Sequence, residues 1–174
     1  TSISMFSVNP QIVAYLIDHG FEPLTAASAF GVIAVVGTAG VVAFGVLADY
    51  TGHFFAVTVS YVMSIAGFGL LYLAGHYPTL WLVYAFVLAY GPTFGSRGAI
   101  VNALVARVFG PRELGTIIGT LQLGMGVGAA IGATLGGVIY DWLGGYEAVL
   151  ALAVLGCSTA LALFWLTPQL RRSG

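Results

Sequence analysis

The run LTAASAFGVIAVVGTAGVVAFGVLA, residues 24–48, contains no charged side chain from end to end. About 20 predominantly apolar residues carry a helix across the hydrocarbon of a bilayer, and in a soluble domain such a run would have nothing to face water. Comparable runs follow one another along the chain. They are interrupted only at DHGFEP (18–23), DYTGH (49–53), AGHYPT (74–79), RVFGPRE (107–113) and DWLGGYE (141–147). The interruptions predict six spans, near 1–18, 24–48, 54–74, 79–106, 113–140 and 147–167. Each interruption holds glycine or proline, as connectors between antiparallel helices require. The chain therefore reads as one all-α transmembrane domain over 1–174, with the lipid bilayer as its main partner.

The charges that remain are positional. Only 6% of the residues are charged, against about a quarter in soluble domains. No basic field exists for nucleic acid. Cys157, the one cysteine, lies inside an apolar run and reads as a small buried or lipid-facing side chain, so neither a disulfide nor a metal site is expected. No cofactor is expected either, although coupling to a proton or another ion fits such a chain. The start, TSISMFSVNP, lacks the basic region and apolar core of a signal peptide and reads as a cut into a longer polypeptide. An intramembrane serine protease would need Gly-x-Ser-Gly and a histidine on a facing span. The chain offers GSRG at 95–98, and His19, His53 and His76 all fall at loops, so no enzyme is expected.

Basic residues collect in cytoplasmic loops. With six spans, Arg107, Arg112, Arg171 and Arg172 share one side, whereas Asp18, Glu22, Asp141 and Glu147 share the other. Both termini are thereby placed in the cytoplasm, in a bacterial-type inner membrane or a plasma membrane. The orientation also gives meaning to an internal echo. GVLADYTG, from Gly45, matches GVIYDWLG, from Gly137, with Gly45/Gly137, Val46/Val138, Asp49/Asp141 and Gly52/Gly144 in register. One copy closes span two on the cytoplasmic side and the other closes span five on the outer side. Units 1–75 and 79–168 are then two inverted three-helix repeats, a construction found in secondary transporters.

GVLADYTGHF resembles the loop pattern G-x-L-x-D-R-x-G-R-R of the major facilitator superfamily: Gly45, Leu47, Asp49 and Gly52 match, whereas Tyr50, His53 and Phe54 replace its basic positions. Residues 109–146 are similar to the tenth-to-twelfth helix region of facilitators that carry small organic acids, the monocarboxylate and oxalate/formate exchanger branch. The resemblance implies the C-terminal six-helix half of a twelve-helix transporter, with an N-terminal half of the same transporter as partner. It implies a secondary active transporter that moves a small anionic organic solute by alternating access. A membrane scaffold or a channel subunit is the alternative reading. The resemblance also gives Gly45, Asp49, Gly52 and Arg107 a gating role, in which Asp49 latches the cytoplasmic helix ends. A solvated loop aspartate is the other reading of Asp49.

Arg97 lies ten residues before Arg107, about 15 Å into the membrane at the rise of a helix. An arginine near the midplane is unfavourable by about 2.5–3.5 kcal/mol, so it must face protein or water. Tyr90, Thr93 and Arg97 are spaced to share one helix face, inside GPTFGSRG, where a helix is expected to bend. Arg97 reads as the binder of an anionic group, against an internal ion pair or a side chain reaching for the cytoplasm. Gln11 and Tyr15 are spaced to face the same cavity, against a plain role in interhelical hydrogen bonding, and Asn9, beside Pro10, suits a broken helix. Gly124, Gly128, Gly132 and Gly136 recur every fourth residue, an edge along which a second helix can approach closely and on which helices can slide.

Overall fold

The computed structural model describes residues 2–108 and 111–166; the side chains at 104, 107, 108 and 111–113 lie outside the description. The elements are α1 (Ser2–Val8), a 3-10 turn Asn9–Gln11, α2 (Ile12–Asp18), α3 (Pro23–Thr51), α4 (His53–His76), α5 (Leu80–Tyr90), a 3-10 turn Gly91–Thr93, α6 (Ser96–Val108), α7 (Pro111–Leu143) and α8 (Glu147–Leu166). No strand occurs among the described residues. Among the described residues, four helices are long and apolar enough to cross a membrane: Pro23–Thr51, His53–His76, Leu114–Leu143 and Glu147–Leu166.

The other two expected spans, 1–18 and 79–106, are each divided in the middle. Pro10 lies in the turn between α1 and α2, and Pro92 in the turn between α5 and α6. Proline has no N–H to donate and its ring collides with the carbonyl one turn back, so an α-helix cannot run through it undisturbed. After the second break, Gly95 takes φ +83° and α6 begins at Ser96.

The two echoing motifs end their helices in the same way. Gly52 follows α3 with φ 88° and donates its N–H to Ala48 O at 3.0 Å; Gly144 follows α7 with φ 67° and donates to Tyr140 O at 2.8 Å. Side chains other than glycine's are strained at such angles. The echo is thus a helix-stop signal at the level of local structure.

Packing is close where glycines face backbone. A Cβ at Gly40 of α3 would sit 2.2 Å from Pro92 O, and one at Gly67 of α4 would sit 2.8 Å from Tyr90 Cβ. These glycines seat the second broken segment against α3 and α4. On α7, a Cβ at Gly132 would lie 2.4 Å from Ile3 O and one at Gly136 2.4 Å from Ser7 O, while Gly128 faces Ser2 Cβ at 3.1 Å. The seam therefore runs along α1. A Cβ at Gly124 meets nothing within 4 Å among the described residues.

The outer surface is apolar, with Val35, Val42, Leu88, Leu155 and Leu163 exposed. The interior by contrast holds Ser4, Ser7, Asn9, Ser60, Ser64, Thr93 and Ser96. In lipid no hydrophobic drive pairs the helices, so close packing and these interhelical hydrogen bonds must supply it. Alanine at Gly132 or Gly136 is expected to destabilise by about 1–3 kcal/mol through overpacking, with a smaller loss at Gly128. Melting temperatures of the three variants in detergent measure that order.

Candidate solute-binding site

The site is built on α6 and α4, with α1 as its cover. Arg97 is the second residue of α6. Its Nε–H donates to Ser60 Oγ at 2.9 Å, and Nη2 donates to Ser60 O at 3.3 Å and to Ser64 Oγ. Its carbon Cζ lies 4.4 Å from the centre of the Tyr61 ring, a cation–π contact. Ser60 and Ser64 stand one turn apart on α4, so one helix face grips one edge of the fork. The remaining nitrogen, Nη1, has Met5 Sδ as its acceptor at 3.5 Å, and a thioether is a weak acceptor. No carboxylate pairs with Arg97 among the described residues.

A cavity of about 340 Å³ opens beside this guanidinium, lined by Met5, Asn9, Tyr61, Thr93, Arg97 and Met125 among others. Gly95 and Gly98 also line it and let a ligand approach the first turn of α6. The N–H groups there have no partner within their own helix and carry the positive end of its dipole. Guanidinium and helix terminus thus add at one end of the cavity. The rest of the wall, with Phe6, Phe94, Val101 and Leu121, is apolar. The arrangement suits a small anion with an apolar tail.

Behind Arg97 runs a hydrogen-bonded chain. Ser64 donates to Thr93 Oγ1 at 2.8 Å, Thr93 donates to Tyr90 O at 2.7 Å, and Tyr90 O–H donates to Asn9 Oδ1 at 2.5 Å. Tyr90 is fully buried. The expected continuous stripe of Tyr90, Thr93 and Arg97 is cut by the turn at Pro92: Arg97 and Thr93 line the cavity, whereas Tyr90 supports it from behind and links the two broken segments.

A family model for the Major Facilitator Superfamily matches residues 1–173. The chain belongs to the major facilitator superfamily. Among curated proteins it is similar to Monocarboxylate transporter 13 of Bos taurus, 30% identical over 143 residues, which is 82% of this chain and 33% of the relative. The same protein of Rattus norvegicus gives the same identity and coverage. The chain thus spans about one third of the length of the relatives it matches. Four apolar helices and the family place this facilitator chain in a membrane. Both relatives are mammalian and lend no support to a bacterial-type membrane.

The other residues singled out in this facilitator chain lie elsewhere. Gln11 and Tyr15 stand apart from the Arg97 cavity, where the break at Pro10 turns the chain away. Tyr15 donates to Leu71 O at 3.1 Å and packs edge-on against Tyr146 at 5.0 Å. Together with Asp18, His19, Tyr140 and Tyr146 it lines a second cavity of about 610 Å³ at the end of α2. Asp18 accepts hydrogen bonds there from Tyr146 at 2.9 Å and Tyr140 at 3.4 Å. Burial and the Asp18 carboxylate push the Tyr146 hydroxyl well above the ordinary phenol range, so it remains a donor. Asp49 is exposed in the last turn of α3, beside the Gly52 stop. Gly45 lies one turn earlier in α3 with open space beside it. Arg107 belongs to α6, with its side chain outside the described residues.

Sequence reasoning placed Arg97 in a cavity but missed what holds it. Ser60, Tyr61 and Ser64 stand out only weakly in HFFAVTVSYVMSIAG. Two serines one turn apart beside a tyrosine are the single hint that this face of α4 meets a polar partner.

Proposed function

We propose that this chain is the C-terminal six-helix half of a secondary active transporter that carries a small organic anion, a short carboxylate, by alternating access. The observation that carries this reading is Arg97. Its guanidinium is held on one edge by Ser60 and Ser64 and offers Nη1 toward a largely apolar cavity at the positive end of α6. Carboxylates match the fork of an arginine. The names of the relatives, monocarboxylate transporters, agree with that chemistry.

The six-span reading counts the broken segments 1–18 and 79–106 as spans one and four. Proline-interrupted segments in corresponding positions of two halves are where such transporters place their solute sites. The like helix stops at Gly52 and Gly144 support the inverted repeat of 1–75 and 79–168. On this reading both ends of the chain are cytoplasmic, and an N-terminal half completes the solute path. The seam of α7 glycines on α1 is then a surface on which helices can slide. Proton coupling would use Asp18, at the outer end, or an acid of the N-terminal half.

Counterflow of labelled short-chain carboxylates into proteoliposomes of the full-length protein tests the proposal. Saturable exchange is expected, whereas a scaffold gives none. Asp49→Asn is expected to slow exchange about tenfold, as loss of a charged latch contact of roughly 1.4 kcal/mol would, with little change in solute affinity. An unaltered rate would assign Asp49 to the solvated loop.

A further inference from the structure

The two broken segments meet at Asn9. Tyr90, the last residue of α5, fixes the Asn9 amide by donating to Oδ1 at 2.5 Å. That bond turns the Nδ2 end away from Tyr90, and Nδ2 is buried with no hydrogen-bond partner. Asn9 is only 6% exposed. Buried amide donors without acceptors are rare in native structures and call for an explanation. Asn9 and Met5 are one turn apart at the break in the first segment, and both line the Arg97 cavity. Met5 Sδ is also the acceptor that faces Arg97 Nη1. Two donors on facing segments, Nη1 and Nδ2, thus lack a good acceptor beside one cavity. Met5, which lines the same cavity, has a flexible, unbranched side chain that can move aside.

Resting on the carboxylate reading above, we propose that Asn9 is a second recognition residue for the solute and that Met5 holds its place when the site is empty. On binding, one carboxylate oxygen replaces the Met5 sulfur on Arg97 Nη1. The other accepts the hydrogen of Asn9 Nδ2, which the displaced Met5 uncovers. The solute then bridges the first and second broken segments and joins the two repeats through its own charge. Tyr90 is a positioning residue: it orients the amide and touches no solute.

Isothermal titration of the full-length protein in detergent with butyrate, and with neutral butyramide as control, tests the proposal. The wild type is expected to bind butyrate and to reject butyramide. Asn9→Asp keeps the acceptor that Tyr90 needs and replaces the free donor by an acceptor. It is expected to weaken butyrate binding about ten- to a hundredfold, the range for a hydrogen bond to a charged group; melting temperature reads separately what the buried carboxylate costs the fold. Tyr90→Phe frees the amide without entering the cavity and should weaken butyrate binding several-fold. Met5→Leu, which removes the sulfur and keeps the bulk, should leave affinity within about threefold, as a replaceable partner would. Asn9→Asp binding butyrate as the wild type does, beside an Arg97→Gln variant that does not, overturns the role of Asn9 and leaves the anion site standing. Should Asn9→Asp fail to fold, unchanged affinity in Tyr90→Phe overturns it equally. Arg97→Gln binding normally, or a wild type blind to butyrate, removes the carboxylate reading itself.

Discussion

Arg97→Gln is expected to reduce carboxylate affinity by roughly a hundredfold or more and to bring exchange near background. Glutamine retains polarity but is shorter and has neither the charge nor the fork. Three features of the site fail together. The cation–π contact with Tyr61 goes, the bonds to Ser60 and Ser64 are left with a single amide to serve them, and the cavity loses its one permanent charge. Removing one partner of a desolvated charge pair is unfavourable by about 2–5 kcal/mol, which spans the expected drop. Arg97→Lys should do less harm to charge and more to geometry. An ammonium cannot hold Ser60 and Ser64 on one edge while presenting a second edge to the solute, so affinity is expected to fall about tenfold. Titration calorimetry and initial exchange rates on the same preparations separate the two variants. Melting temperature shows whether either loss is a folding defect.

The second large effect is expected far from any charge. Gly40→Leu drives a side chain into the backbone at Pro92, where even a Cβ would lie 2.2 Å from the carbonyl oxygen and 2.4 Å from Cα. Backbone cannot rotate aside as a side-chain tip can, so α3 and the turn Gly91–Thr93 must separate. That turn leads directly into Gly95 and Arg97, and the displacement carries the guanidinium away from Ser60 and Ser64. Loss of most folded protein is expected. Gly40→Ala should remain folded in part, destabilised by about 1–3 kcal/mol, and should bind solute more weakly than its fraction folded explains. Gly31→Ala, on the same helix with open space around it, is the control and should behave as wild type. Size-exclusion yield, melting temperature and butyrate affinity of the three variants provide the comparison.

What could be read in the sequence followed from the solvent. A charge inside an apolar run stands out because lipid tolerates it so poorly, and Arg97 was therefore legible as a cavity residue. Both proline breaks were legible for a similar reason, since a missing N–H is a local fact of Pro10 and Pro92. The glycine spacing gave a packing edge on α7 but not its partner: phase along one helix does not say which neighbour meets it. The same limit hid Ser60, Tyr61 and Ser64, because serine can bond to its own helix or to another with no difference in pattern. Gln11 and Tyr15 were grouped with the Arg97 cavity on helical spacing, and the turn at Asn9–Gln11 breaks that spacing. The polar chain from Ser64 through Thr93 and Tyr90 to Asn9 joins residues distant in sequence, and only the packed helices bring them together.

Solute selectivity ties these elements together. In proteoliposomes of the full-length protein, counterflow of labelled butyrate is measured against labelled butyramide, in the wild type and in Arg97→Gln. A site whose recognition rests on Arg97 exchanges butyrate, ignores butyramide and loses the butyrate signal in the variant. Equal exchange of both compounds by the wild type, or butyrate exchange that survives in Arg97→Gln, would contradict it.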